Sequence, residues 1–318
     1  MVKRQSGFTL IELLIALIIM SLMTAMLVTY FGPWATYKAR VDTQNKLALL
    51  QEALTDAYKD NALTIDSNAG AAIVLPNGKI SSTASATPAT FQPIMPYSST
   101  APLGMARDGY GKALTVFVSD LLSKKIAGAT LYYHVIAVVS SGARSRGPAK
   151  STFDPSTGAL KLDPYETAVL INGYDIEYAI YRTTRTRLQQ LANLYSTYFQ
   201  SRYMGDSGRS YGVDYFACGG NPCGASSSPS WDITGTVGNS LQRTNQTAAQ
   251  VNLQTTLGLS HDDVTDGWGN PIYVDNDSSA VRSPSNPSAA MQTPPYTATL
   301  YANMPGGQRL SVTAAGNY

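Results

Sequence analysis

At 318 residues the chain is long enough for one large domain or two ordinary ones. With charged residues at only 14% and plentiful Tyr, Ser, Thr, Asn and Gly, it lacks the composition of a disordered chain. Its formal charge of +2 comes from its first four residues. Without Lys3 and Arg4, 21 basic residues face 21 acidic ones, so the general basic footprint of a nucleic-acid binder is missing.

The first predicted element is a helix that begins in hydrocarbon. Leu13 to Phe31 runs for nineteen residues without a charge, and about 20 apolar residues suffice to cross a bilayer core. The run exceeds the 7–15 residues or so of a signal-peptide core, and no small-residue cleavage site follows it. Cations precede it, so the positive-inside rule places residues 1–7 in the cytoplasm and everything after Pro33 outside. Glu12 is the only charge between Arg4 and Lys38. A charge at a bilayer centre costs roughly 2.5–3.5 kcal/mol on insertion scales, so a segment meant only to anchor would not keep it.

The residues around that carboxylate are Lys3, Arg4, Gly7, Phe8, Thr9, Leu10, Ile11 and Glu12. Together they resemble the leader of type IV pilins and type II secretion pseudopilins. The resemblance implies cleavage by a prepilin peptidase between Gly7 and Phe8 and methylation of the new N-terminus at Phe8. It also implies that Glu12 faces the N-terminal ammonium of a neighbouring subunit. A buried carboxylate is tolerated when paired and costly alone, so Glu12 would select the staggered stack of subunits over the solitary helix. Many family members carry a proline where Thr29 stands; here the proline is Pro33, beside Gly32, and a kink or melted turn is expected there.

Beyond Trp34 the helical pattern continues, with Val41, Leu47, Leu50, Leu54, Ala57 and Tyr58 as its apolar stripe and Asn61 as its expected stop. Residues 62–105 read as surface loop, broken by Pro88, Pro93, Pro96 and Pro102. A turn at Asp108–Gly111 then leads into a β-rich run. Strands follow over "TLYYHVIAVVSSG", a hairpin over "FDPSTGALKL" and a strand over "TAVLING". A second amphipathic helix is predicted over roughly Asp175–Tyr203, with a basic patch of Arg182, Arg185 and Arg187 that is either a solvated face or a subunit contact. After Gly205 the chain reads as loop, then as a turn and strand over "TDGWGNPIYVDND", and last as two short strands around Gly306–Gly307.

Asp108-Gly109-Tyr110-Gly111 and Asp266-Gly267-Trp268-Gly269 are an internal echo, each preceded by a helix and followed by strands. The second also resembles the head of major pseudopilins. Two readings stand: two pilin-like heads in tandem, or one head with a large C-terminal insertion.

Cys218 and Cys223 lie in a Gly/Pro-rich loop with four residues between them, and outside the cytoplasm a disulfide is expected. Zinc is the rival and would need further ligands, with only His134 and His261 on offer. The pseudopilin resemblance implies a possible calcium site, for which Asp262, Asp263, Asp266, Asp275 and Asp277 supply hard oxygens; aspartates also populate turns for their own reasons. "GDSG" at 205–208 is similar to a serine-protease motif but lacks a matching histidine motif, and no enzyme is expected.

The sequence thus predicts an α+β chain: a long N-terminal transmembrane helix packed on an antiparallel sheet as a pilin-like head, then a second pilin-like α+β head. The expected segments are a cleaved leader at 1–7, an assembly helix at 8–37, a first head at 38–172 and a second head or insertion at 173–318. By resemblance the chain is a structural subunit of a type IV pilus or type II secretion-like filament; a pilus-tip adhesin is the alternative. Expected partners are other pilin or pseudopilin subunits, the prepilin peptidase and the inner membrane, with the head outside the cytoplasm. No cofactor other than possible calcium is expected.

Overall fold

The computed structural model describes residues 10–98, 101–143, 147–209, 211, 215–217, 233–236, 241–243, 246–251, 254, 257–275, 282–283, 286–290, 297–316 and 318. The architecture is α+β, with a long N-terminal helix and antiparallel sheets.

Helix α1 spans Leu10–Ile65 and is continuous through Pro33, so the melted turn expected beside Gly32 does not form. The break in its dihedrals falls instead at Asn61 (φ −123°, ψ 15°). There the Asn61 side-chain amide donates to the Ala57 carbonyl at 2.9 Å and to the Tyr97 hydroxyl at 2.9 Å. The helix passes this point and ends at Ile65. Ser67 and Asn68 side chains then donate to the Leu63 and Thr64 carbonyls, which the helix end leaves open. From Thr43 onward one face is buried: Leu47, Leu50, Leu54, Ala57, Tyr58, Ala62 and Ile65 recur at helical spacing. Upstream, every residue from Leu10 to Met26 is exposed. Among the described residues no helix is long and apolar enough to cross a membrane, and the described side chains of the apolar run stop at Met26.

Residues 62–105 hold more order than expected. Strands β1 (Ala72–Leu75) and β2 (Gly78–Ser81) form a hairpin, and a 3-10 stretch covers Pro88–Tyr97. Its prolines occupy positions that need no α-helical hydrogen bond, and Phe91 and Ile94 reach the core. A helical turn, α2 (Pro102–Met105), precedes strands β3 (Thr115–Val118), β4 (Leu122–Ile126), β5 (Ala129–Tyr133) and β6 (Val135–Ser140). The single strand expected over "TLYYHVIAVV" is therefore two. His134 divides them, because its backbone N–H donates to the Tyr58 hydroxyl at 2.8 Å rather than to a ladder. Strand β5 pairs with β4, while β6 lies between β3 and a later strand and is buried along its whole length. After the hairpin β7 (Thr152–Asp154) and β8 (Ala159–Lys161), β9 (Thr167–Asn172) completes the antiparallel sheet β3-β6-β9.

Helix α3 (Gly173–Gly205) follows β9 with no linker; Asn172 caps it by accepting from the Tyr174 N–H. The region after Gly205, expected to be loop, contributes β10 (Ile233–Thr236), β11 (Leu241–Arg243) and β12 (Gln246–Val251). Strand β13 (Tyr273–Asp275), a small hairpin of β14 (Arg282–Ser283) and β15 (Asn286–Ala290), and β16 (Thr297–Asn303) and β17 (Arg309–Ala315) come next. They build an antiparallel sheet of order β12-β11-β10-β13-β16-β17. Buried side chains of both sheets, α1 and α3 form one continuous apolar cluster. A polar clasp joins its ends: the Gln308 amide accepts from the Thr130 N–H at 3.1 Å and donates to the Thr130 carbonyl at 2.8 Å.

Candidate functional site

The exposed half of α1 is the first candidate. Leu10 is 85% exposed and Met26 69%, and Glu12 is exposed in the first helical turn. Burying a side chain of this kind is worth roughly 1.5–3 kcal/mol, so a helical surface of such residues favours any setting that removes it from water. The expected processing residues Gly7 and Phe8 lie outside the described residues.

The second candidate is the pair of turns. In the first, Asp108 Oδ1 accepts from the Tyr110 N–H at 2.9 Å and the Lys112 N–H at 2.8 Å, while the Gly111 N–H donates to the Asp108 carbonyl. Gly111 has φ +76°, where a side chain is strained. The turn is fastened to α1: the Gly109 N–H donates to Thr43 Oγ1 at 3.0 Å, and Lys46 Nζ donates to the carbonyls of Arg107 and Asp108. A methyl on Gly109 would overlap the Ala39 carbonyl, so only glycine lets the turn lie this close to the helix.

The second turn repeats this arrangement. Asp266 Oδ1 accepts from the Trp268 N–H at 2.9 Å and the Asn270 N–H at 2.8 Å, and Gly269 has φ +80°. The Gly267 N–H donates to Thr184 Oγ1 at 2.9 Å, and Arg187 Nη1 donates to the carbonyls of Thr265 and Asp266. Thr43, Lys46, Leu47, Leu50, Leu54 and Tyr58 of α1 correspond to Thr184, Arg187, Leu188, Leu191, Tyr195 and Phe199 of α3, each 141 positions later. Strand pairing corresponds as well: β13 pairs with β16 and β16 with β17, as β3 does with β6 and β6 with β9. The tetrapeptide echo was legible in sequence, but the helix register was not read from it. Sliding the sequence against itself by 141 positions would have exposed that register.

One partner differs. Asp108 Oδ2 accepts from the Ser140 hydroxyl at 2.7 Å on β6. The strand registers place the buried Ala302 at the corresponding point of β16, and among the described residues the buried Asp266 Oδ2 has no hydrogen-bond partner. Desolvation accordingly raises the Asp266 carboxyl to about 6 against the pull of the Asn270 and Trp268 N–H groups.

A third cluster lies where α1 ends against α3. Tyr58, Asp66, His134 and Glu177 have no exposed surface. The Tyr58 hydroxyl donates to Asp66 Oδ1 at 2.6 Å. The Trp268 indole N–H donates to Glu177 at 3.1 and 3.3 Å. Burial, then the charge of Glu177, pushes Asp66 up to about 10, and burial pushes Glu177 up to about 7. Burial also raises the Tyr58 hydroxyl well above its ordinary value. Sequence reading passed over this cluster, because nothing in the sequence around Asp66 or Glu177 marks it as buried.

Three of the expected calcium ligands, Asp262, Asp263 and Asp266, have described side chains, and each makes its own local contacts. Asp262 is exposed beside His261; Asp263 accepts from the Ser260 N–H and hydroxyl; Asp266 holds its turn through Oδ1. The side chain of Asp275 and the whole of Asp277 lie outside the described residues. Among the described residues no three His, Cys, Asp or Glu side chains could jointly hold a metal ion. Cys218 and Cys223 also lie outside the described residues. The 205–208 motif is the end of α3, where Asp206 accepts from the Gly208 N–H and the Tyr215 hydroxyl. Of the basic patch, Arg187 is committed to the second turn.

No curated protein and no solved structure matches the chain. Residues 2–28 match the family model of the prokaryotic N-terminal methylation motif, and the chain therefore carries the prepilin signal of type IV pilins and pseudopilins.

Proposed function

We propose that this chain is a structural subunit of a type IV pilus or type II secretion-like filament, anchored in the inner membrane and then assembled through α1. The observation that carries the reading is the continuity of the methylation motif with a helix of two characters. Its start, Leu10–Met26, is apolar and exposed, and from Thr43 onward one face is buried in the folded head. In this reading the nineteen uncharged residues from Leu13 to Phe31 span the bilayer before assembly, and Glu12 pairs with the Phe8 ammonium of a neighbouring copy. The matched helices, turns and strand pairings support a further element of the proposal: two pilin-like heads in tandem, 38–172 and 173–318, sharing one core.

Mass spectrometry of the chain from its native host tests the reading. The mature chain is expected to begin at N-methyl-Phe8, and Gly7→Val is expected to block the cut and leave residues 1–7 attached. Normal maturation of the Gly7→Val protein would sink the proposal.

A further inference from the structure

The carboxyl pair between the ends of the two helices has no part in the assembly reading, and its geometry carries an inference of its own. Asp66 follows α1, Glu177 lies in the first turns of α3, and Trp268 belongs to the second turn. The cluster therefore touches both helices and the turn fastened to the second one. Asp66 Oδ1 is satisfied by Tyr58, but among the described residues nothing donates to the buried Oδ2 unless a proton is shared with Glu177. The nearby Glu177 carboxyl accepts from the Trp268 indole N–H and offers its remaining acceptor capacity to Asp66. Two ionised carboxylates cannot sit together out of water without a cation, and a proton shared between them supplies the missing donor.

The groups facing the pair from the packed elements are few. Tyr58 of α1 donates to Asp66, and its hydroxyl accepts from the His134 backbone. The His134 ring nitrogens face the Ser119 and Asn68 carbonyls, at 3.0 and 3.3 Å. Trp268 has no titratable proton in the ordinary range. Lys59, Asp60, Arg187 and Asp266 line an open cavity of about 590 Å³ beside Ile176 and Trp268, and among the described residues no cation is bonded to either carboxyl. There is no slack for rearrangement: a methyl on Gly173 would overlap the Tyr58 hydroxyl and the His134 carbonyl.

We infer that Asp66 and Glu177 form a proton-dependent latch between the two halves of the chain, tightest while both carboxyls are protonated and loosened progressively as the pair ionises. Both carboxyls titrate higher in the fold than the ordinary value near 4, because burial disfavours their charged forms. The folded state thus holds more protons than the unfolded one from about pH 4 upward. Stability from the pair is full below pH 4 and falls as pH rises, the Glu177 share being lost by about pH 7 and the Asp66 share by about pH 10.

The test uses the full chain in detergent micelles, with thermal unfolding followed by circular dichroism between pH 5 and 9. The wild type is expected to lose several degrees of Tm across that window. Glu177→Gln keeps an acceptor for Trp268 and gains a permanent donor for Asp66, and it is expected to flatten the profile. An unchanged slope in Glu177→Gln overturns the latch. Hydrogen exchange on the wild type provides a variant-independent reading, with rates corrected for intrinsic pH dependence. Protection at residues 62–68 and 173–180 is expected to drop at least tenfold between pH 6 and pH 9, relative to strand β6. Equal changes in the junction and in β6 would overturn the proposal even if the variant failed to fold.

Discussion

The turns at Asp108 and Asp266 use the same hydrogen bonds on the same helix positions, yet one has a satisfied carboxylate and the other an orphaned oxygen. The common part depends on the backbone: an aspartate gathering two N–H groups, a glycine at positive φ, and a glycine pressed onto a helix whose threonine receives its N–H. The different part depends on a single side chain supplied by a strand, Ser140 in one place and Ala302 in the other. A turn of this kind is therefore held mainly by its helix, and the strand beneath it decides whether the second oxygen of its aspartate has a hydrogen-bond donor.

The largest effect that would break the parallel lies at the pressed glycines. At Gly109 a new Cβ would meet the Ala39 carbonyl oxygen, with its carbon and Asp42 Cβ at 2.9 Å; at Gly267 it would meet the Ile180 oxygen at 2.7 Å and Thr184 Oγ1 at 2.9 Å. Both sites need the turn to lift off its helix. Gly109→Ala is expected to cost about 3 kcal/mol and Gly267→Ala about 2 kcal/mol in denaturant unfolding, the range of overpacked cores. A smaller loss at Gly109 than at Gly267 would contradict the geometry.

Next come the threonines. Thr43→Val and Thr184→Val keep the shape but strand the Gly109 and Gly267 N–H groups, and each is expected to cost roughly 1–2 kcal/mol by the same assay. If the two costs differ by more than a factor of two, the turns are not held in the same way.

The smallest effect sharpens the difference. Ala302→Ser offers Asp266 Oδ2 the hydroxyl that Ser140 gives Asp108, and is expected to stabilise by about 1 kcal/mol near pH 7. Asp266 titrates above its ordinary value, so its contribution falls as pH rises from about 4 to 6. The serine variant is expected to lose that slope, and carbon-13 NMR of the Asp266 carboxyl would show its titration shifted below 6. An unmoved titration would mean that β16 does not place the hydroxyl where β6 does.

What sequence could and could not reveal follows from the same physics. Helices α1 and α3 were legible because their buried faces recur at helical spacing. The two turns were legible because Asp-Gly-aromatic-Gly is demanded by backbone geometry. The division of a strand at His134 was not, because the cause is a tyrosine hydroxyl 76 positions away taking a ladder N–H. The order within residues 62–105 was hidden by prolines, which forbid α-helix but not a 3-10 stretch. For Asp262, Asp263 and Asp266 composition does not separate turn-forming from ligating aspartates, and the structure adds the hydrogen bonds each makes locally. The methylation motif, by contrast, is carried by contiguous residues and needs no fold to be read.

The clasp between Gln308 and Thr130 bears on the order in which the chain can close. The helix-to-turn bonds Thr43–Gly109 and Thr184–Gly267 span 66 and 83 positions, whereas the clasp spans 178. Loop-closure entropy grows only as the logarithm of length, so the longest of these closures costs about 0.9 kcal/mol more than the shortest. Each turn can thus seat on its own helix as soon as its segment is free to fold, independently of the other. The clasp must wait for the last hairpin, β16–β17, to exist, and it joins two already folded parts at a small additional entropic cost.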